Sequence, residues 1–331
     1  MVTFNFLLFC VLSVCFVPSH SRDRLVIDCF MFYNELDMLM LRLTELYDVV
    51  DYFVLIESSY THQGRPHELI YNNSAHLFSQ FKSKIVHIII QDNFVVGTKT
   101  QSLNHQVETT ARENNHRNKL TQGIDILSSN GAFLEDDIIF ISDVDEIPDA
   151  HTVQLIKQEG VATPHYLAMD LFYYHMNCKL TGEWEDAYVL NYASYMQYVK
   201  EEARTLSDLR QNKDNLVSKI ISKAGWHFSY FGGEDFIMNK LASFSHSEFN
   251  TDEYRNTSRI ADAIENNKDI FGRDDVGAIL GLQLDGTKNS AASSQSDGNR
   301  QFCTPLNDGW YIDRNTFLPK NYKMMLQFGW F

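Results

Sequence analysis

Basic residues are in deficit in this chain of 331 residues: 28 Lys plus Arg stand against 43 Asp plus Glu, a formal charge of −15. No Lys/Arg-rich run longer than a few positions occurs. That excludes a nucleic-acid binder, which needs a basic face to neutralise phosphates. Long apolar runs are missing as well, and a spanning helix needs about 20 apolar residues. The first apolar run, Phe4 to Val17, is broken by Asn5 and Ser13 and followed by Pro18. Its length suits the roughly 7 to 15 residues of a signal-peptide core, although the usual preceding positive charge is absent. Residues 1–21 are therefore expected to be a cleaved signal or a short anchor. Arg22 and Arg24 follow on the wrong side for an anchor under the positive-inside rule, which favours cleavage.

Cysteine is sparse: there are five, and Cys10 and Cys15 leave with the leader. Of the rest, Cys29 sits in a strand-like run and is expected to be a buried thiol. Cys178 and Cys303 form a candidate disulfide, as an oxidising compartment would allow. Acceptor sequons at Asn72 and Asn256 lie in polar stretches and are candidate N-glycosylation sites. Leader and sequons together predict the secretory pathway, in the Golgi lumen or secreted, with a membrane met only through an N-terminal anchor.

The composition is that of a packed globular protein, 44 % apolar and 21 % charged, and not of a disordered chain. Aromatics reach 13 %, with 23 Phe and 16 Tyr, enough to build a core and also offer ring faces to sugars. Strand and helix patterns alternate from Leu25. Strands are predicted at Leu25 to Phe32, Tyr52 to Glu57, Ile85 to Ile90 and Ile138 to Ile141, with helices through Leu36, Leu39, Leu43 and Leu46 and from Leu103 to Leu127. This predicts an α/β fold: one domain over residues 22–331, with a mainly parallel central sheet flanked by helices and ligands beyond the strands' carboxyl ends. His165 to Met176 reads as a longer strand or hairpin arm and Gly225 to Gly233 as a glycine-aromatic loop. Residues 285–300, almost without apolar side chains, read as a solvated insertion.

The sharpest feature is the segment Ile138-Ile139-Phe140-Ile141-Ser142-Asp143-Val144-Asp145-Glu146-Ile147-Pro148. An apolar strand ends by placing three acids within four positions. Mg²⁺ or Mn²⁺ takes oxygen ligands, often one or two carboxylates plus substrate phosphates, and an Asp-x-Asp at a strand's end meets that demand. The competing reading is an acidic, solvated turn.

The segments Asp28 to Asp37, Leu46 to Asp51, Ser142 to Pro148 and Gly225-Trp226-His227-Phe228-Ser229 resemble, in this order, glycosyltransferase family 17. The resemblance runs from about Leu25 to Tyr254. It implies a GT-A-like fold, a UDP-sugar donor, UDP-GlcNAc first among them, and inversion at the anomeric carbon. It also implies a glycan or glycoprotein acceptor, with β-1,4 linkage to an N-glycan mannose. Another UDP-sugar, or a carbohydrate-binding protein without turnover, are the alternatives.

On this reading Asp145 is a direct metal ligand and Asp143 a ligand or a ribose contact, with His227 and His246 as candidate further ligands. A lone His is as often a packed or surface residue. Inversion needs a carboxylate to take the acceptor's proton. Tyr230-Phe231-Gly232-Gly233-Glu234-Asp235-Phe236 resembles the Gly-Gly-Glu-Asp loop of β-1,4-galactosyltransferases, so Asp235, then Glu234, is the expected base. The competing reading is a helix N-terminus favoured by acids. Trp226, Phe228 and Tyr230 would stack on the acceptor, unless they are core. Arg117, ahead of Arg112, is expected at the nucleotide phosphates, unless it pairs with Glu113 or Glu108. Glu57 is the expected uridine contact.

Overall fold

A computed structural model describes residues 22–91, 105–131, 133–213, 218–273, 318–321 and 323–330. Residues 1–21, expected as a signal or anchor, residues 285–300 and Cys303 lie outside them. Among the described residues, no helix is long and apolar enough to cross a membrane.

The strands are β1 (Val26–Met31), β2 (Tyr52–Ser58), β3 (Ile85–Ile90), β4 (Ile138–Asp143), β5 (Glu146–Pro148), β6 (His165–Leu167), β7 (Met169–Tyr173), β8 (Lys179–Trp184), β9 (Tyr188–Asn191), β10 (Lys219–Ile221) and β11 (Gly225–Ser229). The helices are α1 (Leu36–Leu46), α2 (Ile70–Ser74), α3 (His105–Asn118), α4 (Leu120–Ser129), α5 (Ala150–Glu159), α6 (Tyr192–Tyr195), α7 (Leu206–Gln211), α8 (Gly233–Ser243) and α9 (Thr257–Glu265). A seven-stranded sheet has the order β10-β6-β9-β4-β1-β2-β3, and a second sheet the order β5-β11-β7-β8.

The block β4-β1-β2-β3 is parallel; β1, β2 and β4 are buried apolar runs, as strands covered on both faces must be, and the edge strand β3 is partly buried. The expectation of a mainly parallel sheet holds, since β10 also pairs parallel with β6, with one strand as exception. β9 enters antiparallel between β4 and β6, so the sheet is mixed. A second sheet was not foreseen.

Three local expectations also change. The predicted long helix is two, α3 and α4, meeting at Lys119; α3 packs on α7, whereas α4 packs on β2 and β3. The close approach of α4 rests on Gly123, where a Cβ would come within 2.2 Å of Val54 Cγ1. The segment His165 to Met176 divides between the two sheets. Gly225 to Ser229 is a fully buried strand and not a loop. Its start touches the β5 backbone, for a Cβ on Gly225 would stand 2.2 Å from the Ile147 carbonyl oxygen.

Candidate active site

The carboxyl ends of β1, β2 and β4, with the end of β11 and one face of α8, surround a cavity of about 710 Å³. The turn after β4 is shaped by a residue that no motif singled out. Arg42 is fully buried on α1. Its Nε and Nη2 donate to the Asp28 carboxylate at 2.8 and 2.6 Å, and Nη2 also donates to Ser142 Oγ at 2.6 Å. Its Nη1 donates to the carbonyls of Asp143 and Glu146, both at 2.8 Å. A single guanidinium, with its fixed fork of donors, thus ties the backbone of the Asp-x-Asp turn to β1. A lone Arg among Leu39, Leu41, Leu43 and Leu46 was the available signal, because a charge within an apolar stripe is buried only when paired.

Asp143 and Asp145 both line the cavity, but each meets its own cations. Arg117 Nη2 donates to Asp143 Oδ1 at 3.0 Å and to Glu113 at 3.1 Å. Arg210 Nη2 donates to Asp143 Oδ2 at 3.1 Å. Arg117 therefore holds both the expected place beside the site and the competing ion pair. Arg112 pairs instead with Glu108 at 3.6 Å and donates to the His62 carbonyl. Glu146 is bonded on every side: Arg210 donates to both its oxygens, Trp184 Nε1 donates at 2.6 Å, and the Asp143 N–H donates at 2.9 Å. Burial pushes this carboxyl up, but Arg210 overrides it and holds the pKa at about 2. Arg210, Trp184 and Lys240 carried no local pattern, since α7, β8 and α8 meet the β4 turn only in three dimensions.

Asp145 accepts from Lys240 Nζ at 2.9 Å, with His227 Nε2 3.7 Å from the same oxygen. Burial opposes the charge, yet Lys240 and then His227 hold the carboxyl well below the usual range. The residues fit a small divalent ion at this edge. Asp145 Oδ2 and His227 Nε2 face one another across it, an oxygen and an imidazole nitrogen of the kinds that ligate such ions. The other ring nitrogen, His227 Nδ1, is buried without a hydrogen-bond partner. Asp143 brings no free oxygen to that edge, and His246 is exposed and paired with Glu248 at 2.8 Å. Among the described residues no group of three or more His, Cys, Asp or Glu side chains could hold a metal. An ion on Asp145 and His227 would complete its shell with phosphate oxygens and water, as Mg²⁺ and Mn²⁺ commonly do.

Other expected residues fall elsewhere. Glu57 lies on the cavity wall, but it accepts from the Tyr71 and Asn72 N–H groups at 2.7 and 3.2 Å and faces His87 Nε2 at 3.1 Å. It fixes the start of α2, which leaves it poorly free for a uridine. Glu234 and Asp235 are exposed in the first turn of α8 and line no part of the cavity; acids there complement the helix dipole. Trp226 is closed into the core, because β11 is covered on both faces; Phe228 is buried as well but borders a second, smaller cavity, and Tyr230 reaches the main one. Asn72 and Asn256 are exposed, and Asn256 also caps α9 by accepting from the Arg259 N–H. Cys178 is disulfide-bonded and Cys29 is a buried free thiol.

Two acid–base groups escaped sequence reasoning. Burial, reinforced by the Asp145 charge against the pull of Lys240, raises the Glu35 carboxyl. Burial, then the neighbouring His62, lowers His116 from 6.5 to about 3. His116 is thus neutral in the fold while the unfolded chain protonates at its ordinary value. Its contribution to stability is full above pH 6.5 and is lost as pH falls from there towards 3. The slope reaches about 1.4 kcal/mol per pH unit for one proton. Denaturant midpoints measured from pH 7 to pH 5, where carboxylates contribute little, should decline, and His116→Gln should flatten that decline. An unchanged slope would remove His116 as its source.

Residues 10–273 match the family model described as Glycosyltransferase family 17. The β-1,4-mannosyl-glycoprotein 4-β-N-acetylglucosaminyltransferases of Rattus norvegicus and Homo sapiens are each 27 % identical over 260 residues, covering 70 % of this chain and 45 % of theirs. The chain thus spans about half the length of the curated relatives it matches. Among solved structures, the inositol-1-phosphate CTP transferase from T. maritima overlaps at a TM-score of 0.33 with 10 % identity, over 60 % of this chain and 85 % of that one, a likeness too slight to argue from. The family match spans the strand and turn that carry Asp143 and Asp145 and the strand that carries His227, and on that extent the chain belongs to glycosyltransferase family 17.

Proposed function

We propose that the chain is a metal-dependent, inverting N-acetylglucosaminyltransferase of GT-A type. It would move GlcNAc from UDP-GlcNAc to a mannose of a glycoprotein N-glycan in the secretory pathway. The observation that carries this reading is the cavity's charge. Seven acids line it against five Lys and Arg, so a nucleotide diphosphate enters favourably only with a cation beside it. Asp145 and His227 would hold that cation, Mn²⁺ or Mg²⁺, which supplies Lewis-acid stabilisation of the departing diphosphate.

The chain's own groups supply the rest. Arg117 and Arg210 are held in place by Glu113 and Glu146, so their guanidinium groups are set for oxyanions at no further ordering cost. Lys240 would be the cation that moves. Its side chain is 22 % exposed, and it can turn from Asp145 to a phosphate oxygen when the ion arrives. The family match and the names of the relatives support the sugar and the acceptor class.

The deciding experiment incubates purified protein with UDP-GlcNAc and an N-glycan glycopeptide, with Mn²⁺ or with chelator. The expected result is UDP release and a glycopeptide heavier by one GlcNAc, both lost with chelator. A different UDP-sugar as the sole active donor would change the donor only. No UDP release from any nucleotide sugar, with glycan binding indifferent to chelator, would make the protein a carbohydrate-binding module.

A further inference from the structure

Beside the main cavity lies a second one of about 310 Å³, and Glu35, Asp145, Tyr230 and Lys240 line both. These four side chains form the partition between them. The two chambers differ in character. The larger holds the charged turn after β4, whereas the smaller is walled by Phe228, Phe231, Phe236 and Trp330. Its volume lies at the lower end of the roughly 300–1,000 Å³ of small-molecule sites, and aromatic walls suit the apolar faces of a sugar ring.

Within the partition the two carboxylates are in different states. Asp145 is committed to Lys240 at 2.9 Å. Glu35 is oriented without being neutralised: its Oε2 accepts from the Tyr33 and Asn34 N–H groups at 3.2 and 2.9 Å. Its Oε1 accepts no hydrogen bond from any described residue. The other six acids lining the main cavity each have a Lys, Arg or His partner within 4 Å. Among the described residues Glu35 alone of these seven has no such partner.

Resting on the transferase reading above, we infer that the smaller chamber receives the acceptor sugar and that Glu35 is the catalytic base acting across the partition. The acceptor hydroxyl gives its proton to Glu35 Oε1 as its oxygen forms the bond to the donor's anomeric carbon. The bond from that carbon to the diphosphate oxygen breaks, and its electron pair leaves with the nucleoside diphosphate. Glu35 then returns the proton to solvent. The exposed Asp235 takes no part in this step.

The test uses the whole chain with UDP-GlcNAc, an N-glycan glycopeptide and Mn²⁺. Glu35→Gln keeps the side chain's shape and an oxygen for the Tyr33 and Asn34 N–H groups. It should lower kcat for transfer at least about 100-fold, the usual contribution of a general base, while UDP-GlcNAc affinity by calorimetry stays within about threefold. Phe236→Ala should raise the KM for the acceptor about tenfold and leave donor affinity unchanged, and Asp235→Asn should transfer at the wild-type rate. If wild type transfers and Glu35→Gln transfers equally well, or if Asp235→Asn is the variant that loses kcat, the assignment of Glu35 is overturned. If Phe236→Ala leaves the acceptor KM unchanged, the smaller chamber is not the acceptor site. Should Glu35→Gln fail to fold, Glu35→Asp replaces it, with the carboxylate withdrawn by one methylene and a kcat loss expected at unchanged donor affinity. Wild type inactive with every nucleotide sugar would sink the transferase reading instead, an outcome separate from all of these.

Discussion

Arg42→Met is expected to cost about 3–5 kcal/mol of folding stability, the penalty for breaking a buried ion pair from one side. The reason lies in what remains behind. Asp28, 1 % exposed, keeps a charge with no guanidinium beside it, and the carbonyls of Asp143 and Glu146 lose their donor in a place closed to water. A second substitution separates these terms. Asp28→Leu in the Arg42→Met background removes the orphaned charge and should restore part of the loss, with the carbonyls accounting for the rest. Urea unfolding of the three proteins measures this. A loss below about 1 kcal/mol in the single variant would show that the turn after β4 stands without Arg42.

Asp145→Asn is expected to act on activity far more than on stability. Sequence alone suggests an exposed acid at this position, but Asp145 is 7 % exposed, so some stability is lost. That loss stays under the figure for a sealed pair, because Lys240 reaches solvent and can rehydrate. Activity depends on the ion that Asp145 and His227 would share. An amide keeps the shape but removes the formal negative charge of that edge, and transfer should fall at least about 100-fold. Isothermal titration with Mn²⁺ in the presence of UDP should show the matching loss of affinity. Turnover within a few-fold of wild type would take Asp145 out of the mechanism.

The readable part of the molecule was that in which one segment decides its own fate. Val26–Met31, Tyr52–Ser58, Ile85–Ile90 and Ile138–Asp143 are strands because short apolar runs bounded by polar turns seek burial, and that demand is local. The acids after β4 were legible for the same reason. Less was legible where two distant segments choose one another. A helical pattern from Leu103 to Leu127 continues across Lys119 in sequence, yet α3 and α4 face different partners. The string Gly-Trp-His-Phe-Ser reads as a loop until β5 and β7 supply its hydrogen bonds.

Charge pairing shows the division most clearly. Composition and the Asp-x-Asp strand placed a site beyond the carboxyl end of a buried parallel strand, and burial of apolar surface needed nothing more to say so. Which acid is left unpaired was settled by chain crossings. Arg117 and Arg210 arrive from α3 and α7 to occupy Asp143, Lys240 arrives from α8 to occupy Asp145, and Glu35 has no such visitor. A carboxylate's role depends on the charges within a few ångströms of it, and those neighbours lie up to 95 positions away along the chain.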